Sequence, residues 1–454
     1  MTAALDGGQS LVQRYTLNPN TYKIDHSLQF NNMTELMDRG NNKLKFRWHH
    51  YLDRVELNTK FEKYYSTVYF KETGEGSDYC NCRSDDSETV ENKLDWISHV
   101  NQFFNTSIIS KNKKMENGSF ETVATEDDNP DLKLIKSEVE YSLDYLASES
   151  IESSIYIGPN EFNRLVTYDN TLEQIIPFGR SIFGSINRWI IRPSFNWLSK
   201  FIGSKGVVII ILIFIIKMLL YPLMYKMLHS QAKMGALKPK IAELREKNPD
   251  DKQKVQMDTM KLYREYGVSP LGGCMPMVIQ MPIWYALFRF FPASITFRQE
   301  SFLWATDLSS FDVIARLPFE IPAFGSHISL FTILWAVTTI IYSYYNMRHM
   351  DMSANPAMKY VQYFMPITFL FFFNTYASGL TVYMFFSNMF NIAQTVITKK
   401  FVFDDDKIRA ELDVQKNKPK KKGGFQSRLE EAMKQQQELQ KAKSNTTAKK
   451  KKRK

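Results

Sequence analysis

Five long apolar segments fill the second half of the 454-residue chain, at roughly 205–226, 270–292, 328–348, 358–376 and 379–398. Each matches the run of about 20 residues that a helix needs to cross a hydrocarbon core of about 30 Å. Lipid offers the backbone no hydrogen-bond partners, so such segments can cross only as helices. The first segment carries a charge. VVIIILIFIIKMLLYPLMY (207–225) has ten apolar residues, Val207 to Ile216, ahead of Lys217. At 1.5 Å per residue those ten rise about 15 Å, so a continuous span puts the ammonium near the bilayer midplane. A charge there costs about 2.5–3.5 kcal/mol or more, and a lysine stem reaching about 6 Å recovers only part of that by snorkelling. The expectation is a wet or polar cavity around Lys217.

The other segments supply polar groups. Gln280 lies inside PMVIQMPIWYALF, and Tyr383, Ser387, Asn388, Asn391 and Gln394 punctuate GLTVYMFFSNMFNIAQT. Tyr383, Ser387, Asn391 and Gln394 follow one another at spacings of four, four and three, which places them on one helix face. Such a stripe either glues helices together or lines a groove. No Asp or Glu occurs in any of the five segments, so Lys217 lacks an internal counter-ion and is expected to meet a negative visitor.

Residues 1–180 are different in kind, with 19 Lys+Arg against 29 Asp+Glu. Alternating runs such as VELNTKFEKYYSTVYFK (55–71), SFETVAT (119–125) and SSIYIG (153–158) predict strands of an all-β sandwich with few helices. No phosphate loop, HExxH, GxSxG or CxxC is present, and His49-His50 has no ligand spacing. The expectation is therefore no catalytic residue, no metal and no cofactor. Three cysteines, Cys80, Cys82 and Cys274, exclude a disulfide scaffold, and the Cys80–Cys82 spacing is strained for a bond.

Residues 181–204 predict an interfacial amphipathic helix broken at Pro193. Its apolar side comprises Ile182, Phe183, Ile186, Trp189, Ile190, Trp197, Leu198 and Phe201, interrupted by Arg188, Arg192, Asn196 and Lys200. Residues 205–398 form the helical core, and residues 229–268 predict an αα-hairpin that turns at Asn248-Pro249-Asp250. The tail, 399–454, carries 19 Lys+Arg against 8 Asp+Glu, ends in AKKKKRK, and is expected to be disordered apart from some helix at 425–443. Residues 226–268 hold 10 basic and 6 acidic side chains, whereas 293–327 hold 2 and 4. The positive-inside rule then makes hairpin and tail cytoplasmic and the β domain extracytoplasmic. Five spans agree with that parity.

The order of interfacial helix, charged span, basic hairpin and GVSPLGGCMPMVIQMPIWYALF (267–288) resembles the bacterial YidC membrane-protein insertases. So do FLWATDLSSFD (302–312) and MPITFLFFFNTYASGLTVYMFFSNMFNIAQT (365–395), while LDWISHVNQFF (94–104) and YIGPNEFNRLV (156–166) look like the end of that family's periplasmic sandwich. Two departures stand out. The family usually has arginine where this chain has Lys217, and it begins with a further transmembrane helix and the first part of the sandwich. The sequence thus reads as an N-terminally truncated member. The resemblance implies a five-helix bundle in the bacterial inner membrane with a partial periplasmic β-sandwich. It also implies a hydrophilic groove that receives nascent membrane-protein clients, which slide into lipid along the family's third- and fifth-helix flank. The Sec translocon, the ribosome through the basic tail, and anionic lipids are the expected partners. The alternative is a secondary transporter with a cationic midplane site, which normally shows inverted repeats; none is visible here.

Overall fold

The computed structural model describes residues 1–4, 8–34, 40, 42–81, 85–126, 129–146, 148–168, 170–179, 182–249, 251–268, 275–347 and 356–416. Cys82, Cys274, the stretch 269–274 of the GVSPLGGC motif and the tail from 417 onward lie outside the described residues.

The first part is an antiparallel β-sandwich. One sheet has eight strands in the spatial order Thr2–Ala4, Ser10–Leu17, Lys23–Asn31, Ser148–Pro159, Phe104–Ser110, Leu94–Val100, Thr67–Glu72 and Ser77–Tyr79. The facing sheet has four, Lys43–Asp53, Asp131–Ser142, Glu116–Ala124 and Asp86–Val90. Strict alternation sets the register: in Asp131–Ser142 the inward positions include Ile135, Val139 and Tyr141, all buried. Across the gap the Phe70 ring of one sheet stacks on Phe120 of the other, 4.6 Å between centroids. Cys80 is a buried free thiol within this core.

The run 55–71 departs from its predicted strand. Residues Thr59–Tyr65 form helix α1, because the Asn58 side chain caps it by accepting from the Phe61 amide at 3.2 Å. The Glu62 carboxylate then accepts the Val55 and Glu56 amides at 2.9 and 3.1 Å, satisfying the incoming loop. The strand starts only at Thr67.

Helix α2 (Phe162–Val166) leaves the sandwich, followed by α3 (Ile182–Ile186) and α4 (Arg192–Ser199). Pro193 does not break this segment. It sits in the first turn of α4, where its missing N–H costs nothing, and residues Asn187–Ile191 ahead of it widen into a π turn. Of the residues assigned to the segment's apolar side five, Ile182, Trp189, Ile190, Trp197 and Phe201, are exposed and Leu198 is buried, while Ile191 and Phe195 face the core.

The rest is helical apart from a two-stranded hairpin, Ala315–Ile321 with Gly325–Ile328: α5 (Lys205–Leu219), α6 (Tyr221–Ala236), α7 (Lys238–Glu246), α8 (Lys252–Glu265), α9 (Met275–Ala293), α10 (Leu330–Met347), α11 (Pro356–Phe373), α12 (Ser378–Ile397) and α13 (Asp405–Lys416). Among the described residues no single helix is long and apolar enough to cross a membrane; α5 with the α6–α7 run passes that measure as a pair bent by 61°. The continuous span expected over 205–226 is thus two helices. Pro222 has no N–H to extend α5 and instead occupies the first turn of α6. At the other end of α5, Gly206 is required: a Cβ there would lie 2.1 Å from the Phe302 ring.

Helix α13 corrects the expectation of a tail disordered from residue 399. Ile408 and Leu412, one turn apart, are buried against Met234, Leu237, Tyr266 and Val268 at the base of the α7–α8 hairpin. The Glu411 carboxylate pairs with Lys233 at 3.0 Å.

One core joins both parts. Trp96 and Tyr156 of the sandwich belong to the same buried cluster as Phe195, Ile209, Phe290 and Leu380. Polar contacts seal the junction. Gln102 Nε2 donates to the Pro292 carbonyl at 2.8 Å, Asn58 Nδ2 to the Thr375 carbonyl at 2.7 Å, and Arg298 pairs with Glu56 at 2.7 Å.

Inside the sandwich the His99 ring stacks on Trp48, 3.5 Å between centroids, and its Nε2 meets Ser137 Oγ at 2.7 Å. Burial, then the neighbouring His50 and His49, hold its pKa well below 6.5, and burial also lowers those of His50 and His26. The unfolded chain takes up protons that these sites refuse, so the contribution is complete above about pH 6.5 and is lost as pH falls through the depressed folded values. The sandwich's melting temperature should be flat from pH 8 to 7 and decline below 6.5. His99→Phe, which keeps an aromatic ring against Trp48, should remove part of that decline; an identical pH profile would refute the assignment.

Candidate functional site

Lys217 lies in the last turn of α5, four residues before α6 begins. Its position near a helix C-terminus gives the ammonium a favourable dipole environment that a mid-helix lysine lacks. The residue is only 4 % exposed, so the charge needs a partner within the protein. Nζ donates to Asn391 Oδ1 of α12 at 2.8 Å. In return Gln394 Nε2, one turn further along α12, donates to the Lys217 carbonyl at 3.2 Å. A third tie, between the Tyr221 hydroxyl and Thr398 Oγ1 at 2.9 Å, fixes the start of α6 to the end of α12.

These side chains surround a small cavity of about 20 Å³, lined by Lys217, Asn391, Gln394 and Gln280 with Leu220, Leu223 and Met224. That is just above the roughly 10–15 Å³ that admits one water. No carboxylate lines it. Three separate helices, α5, α9 and α12, therefore bring four polar side chains to one point beside the bend.

The remaining expected residues fall elsewhere. Ser387 and Tyr383 continue the buried stripe of α12 toward its start, about one and two turns before Asn391, and Tyr383 packs 6.2 Å from the Phe291 ring. Asn388 is turned about 100° away from Ser387 and donates to Thr339 Oγ1 of α10 at 2.6 Å. It joins two helices and does not line the cavity.

Lys399, in the π-helical turn Thr398–Val402, was not among the expected residues. Its Nζ is buried and has no hydrogen-bond partner among the described residues. A lysine just past an apolar helix is the ordinary cytoplasmic flank, so its sequence context carried no signal of burial.

Asn391→Leu should strand the Lys217 ammonium without an acceptor and lower stability by about 1–3 kcal/mol. Adding Lys217→Met should recover most of that loss, because both polar partners are then gone. Thermal unfolding in detergent reads both, and additive effects of the two substitutions would show that the bond contributes nothing.

Two family profiles cover nearly all of the chain up to residue 405. One, described as YidC periplasmic domain, matches residues 1–195, and one described as 60Kd inner membrane protein matches residues 197–405. Relatives named membrane protein insertase YidC align along most of the sequence. The Parabacteroides distasonis protein is 38 % identical over 95 % of this chain and 70 % of its own length. That of Bacteroides fragilis is 35 % identical over 99 % and 75 %, and that of Amoebophilus asiaticus 36 % identical over 94 % and 71 %. With a periplasmic β-sandwich ahead of the helical region and this extent of identity, the chain belongs to the YidC family of membrane protein insertases.

Proposed function

We propose that the chain inserts and folds integral membrane proteins in the bacterial inner membrane, alone or with the Sec translocon, by drawing polar client segments to Lys217. One observation carries this reading. The Lys217 ammonium is buried, its hydrogen bond goes to a neutral amide, and no carboxylate lines its cavity. An acidic client side chain offers the counter-charge that Asn391 lacks.

The proposed organisation follows the charge pattern. Residues 1–180 stand on the periplasmic side and 181–204 lie along the interface. Residues 205–398 supply five spans, and the hairpin 229–268 and the tail 399–454 reach the cytoplasm. The cavity is the closed end of a groove comprising Lys217, Gln280, Asn391 and Gln394, with Tyr383, Ser387 and Asn388 bracing α12. Entry of a client requires α5 and α6 to part from α12 at the bend, exchanging the Asn391 and Gln394 bonds for client contacts. The client's apolar segment then partitions into lipid, gaining roughly 0.3–0.6 kcal/mol per Leu-like residue. That gain drives insertion without a nucleotide.

Lys217→Arg should insert clients with acidic translocated tails normally. Lys217→Ala and Lys217→Glu should cut that insertion by about tenfold, the loss equivalent to ~1.4 kcal/mol. The measurement is protease protection of such clients in vesicles holding equal amounts of each variant. Normal insertion by Lys217→Glu would exclude capture by charge.

The basic tail is proposed to contact ribosomal RNA, with anionic lipid competing for the same charges. Contact through many phosphates weakens steeply with salt and needs no base reading. Deleting 417–454, which keeps α13 on the hairpin, should abolish low-salt co-sedimentation with ribosomes while short clients still insert after synthesis. Unchanged co-sedimentation would leave the tail without that role.

A further inference from the structure

A second cavity lies at the opposite end of α5 from Lys217, where α2, α4, the start of α5 and the end of α9 converge. Its volume is about 310 Å³, many times the 10–15 Å³ that admits one water. Three cations line it: Arg192 at the start of α4, Lys200 just past its end, and Lys205 at the first position of α5. Among the described residues neither lysine has an ion pair or hydrogen bond from its ammonium. The one carboxylate in the lining, Glu161, is held by Arg164 Nε at 3.0 Å.

Arg192 is set in place as a receptor rather than left as a loose surface charge. Its guanidinium carbon sits 3.9 Å above the Phe162 ring, Nη1 donates to Asn163 Oδ1 at 2.6 Å, and Nη2 donates to the Arg188 carbonyl at 3.3 Å. Among the described residues its Nε, and Ser199 Oγ two turns further along the same helix, make no hydrogen bond, both atoms lying beneath the cavity lining. Burial also pulls the Arg192 guanidinium below its ordinary pKa, with no carboxylate offsetting it. The α5 N-terminus adds its free amides, because Ser204 makes no side-chain cap.

We infer that this cavity is a phosphate-binding site, filled by the headgroup phosphate of an anionic lipid. Arginine's planar fork and flanking lysines suit a tetrahedral multi-oxygen anion. The lipid source follows from the outer face of the same segment: Trp189, Trp197 and Phe201 are 77, 58 and 72 % exposed. Exposed indoles and rings sit at headgroup level, which places the cavity mouth among phosphates. The lipid assignment rests on reading α5 as a span; the phosphate chemistry does not.

The test uses the full chain, purified in detergent and stripped of lipid, with native mass spectrometry of phosphatidylglycerol and phosphatidylethanolamine titrations. Phosphatidylglycerol should bind more tightly. Lys200→Gln with Lys205→Gln, both on solvent-reaching side chains, should weaken it about thirtyfold, as expected for two basic groups of about 1 kcal/mol each. Arg192→Gln should weaken it too, and Lys217→Glu should leave binding unchanged, separating this site from client capture. A rise in melting temperature with inorganic phosphate, absent in the double variant, supports the site and assigns it to free phosphate as well. Equal phosphatidylglycerol binding by wild type and the double variant overturns the proposal. So does preferential binding of an acidic peptide over both phosphate species.

Discussion

A buried ammonium must find an oxygen, and in this chain the nearest is an amide. The Lys217–Asn391 bond and the returning Gln394–Lys217 carbonyl bond are made by consecutive turns of α12 to a single residue of α5. Both the side chain and the backbone of Lys217 are thereby satisfied at the place where Pro222 interrupts the helix. A hydrogen bond to a charged group is worth about 1.5–3 kcal/mol, and an unmade one costs more than a made one yields. The position of α12 against α5 follows from that asymmetry. Because α12 also packs on α9 and α10, the same pair of bonds indirectly sets where those helices lie.

Lys217 and the polar stripe were visible in the sequence because each is a violation of an otherwise apolar pattern, and violations are expensive enough to need a reason. Asn391, Gln394 and Gln280 do meet at Lys217. Asn388 does not, since adjacent residues on a helix point about 100° apart and only the spacing of three or four keeps a face. The bend was harder to see. A proline at the start of a helix and a proline inside one look alike in a long apolar run, and only the restart of α6 at Tyr221 tells them apart. Helix α1 was hidden for a similar reason: VELNTKFEKYY alternates like a strand, yet the Asn58 cap and the buried Glu62 carboxylate select a helix. In α13 the net charge of the tail masked Ile408 and Leu412, whose spacing of four was the available signal.

The sandwich does more than stand beside the helices. Gln102 and Asn58 donate to carbonyls at Pro292 and Thr375, groups at the ends of α9 and α11 whose own helices provide no further donors. The Phe61 ring meets Tyr376 edge-on at 4.7 Å at the same junction. Opening of the helices at that end would expose apolar rings and leave carbonyls unpaired, and at the Lys217 end it would strand the ammonium unless another acceptor replaced Asn391.

The bend has a geometric consequence for the surrounding lipid. With 15 residues, α5 is about 22 Å long, well short of a hydrocarbon core of about 30 Å. Set in a bilayer, so short an apolar rod creates a hydrophobic mismatch. A helix too short for its membrane is accommodated by thinning the lipid around it or by drawing polar flanks inward. On the proposed reading the flank at one end is Lys217 itself, so headgroups and water would be drawn toward the point from which a client is proposed to cross, and the apolar distance left to it would be shorter than the membrane is thick.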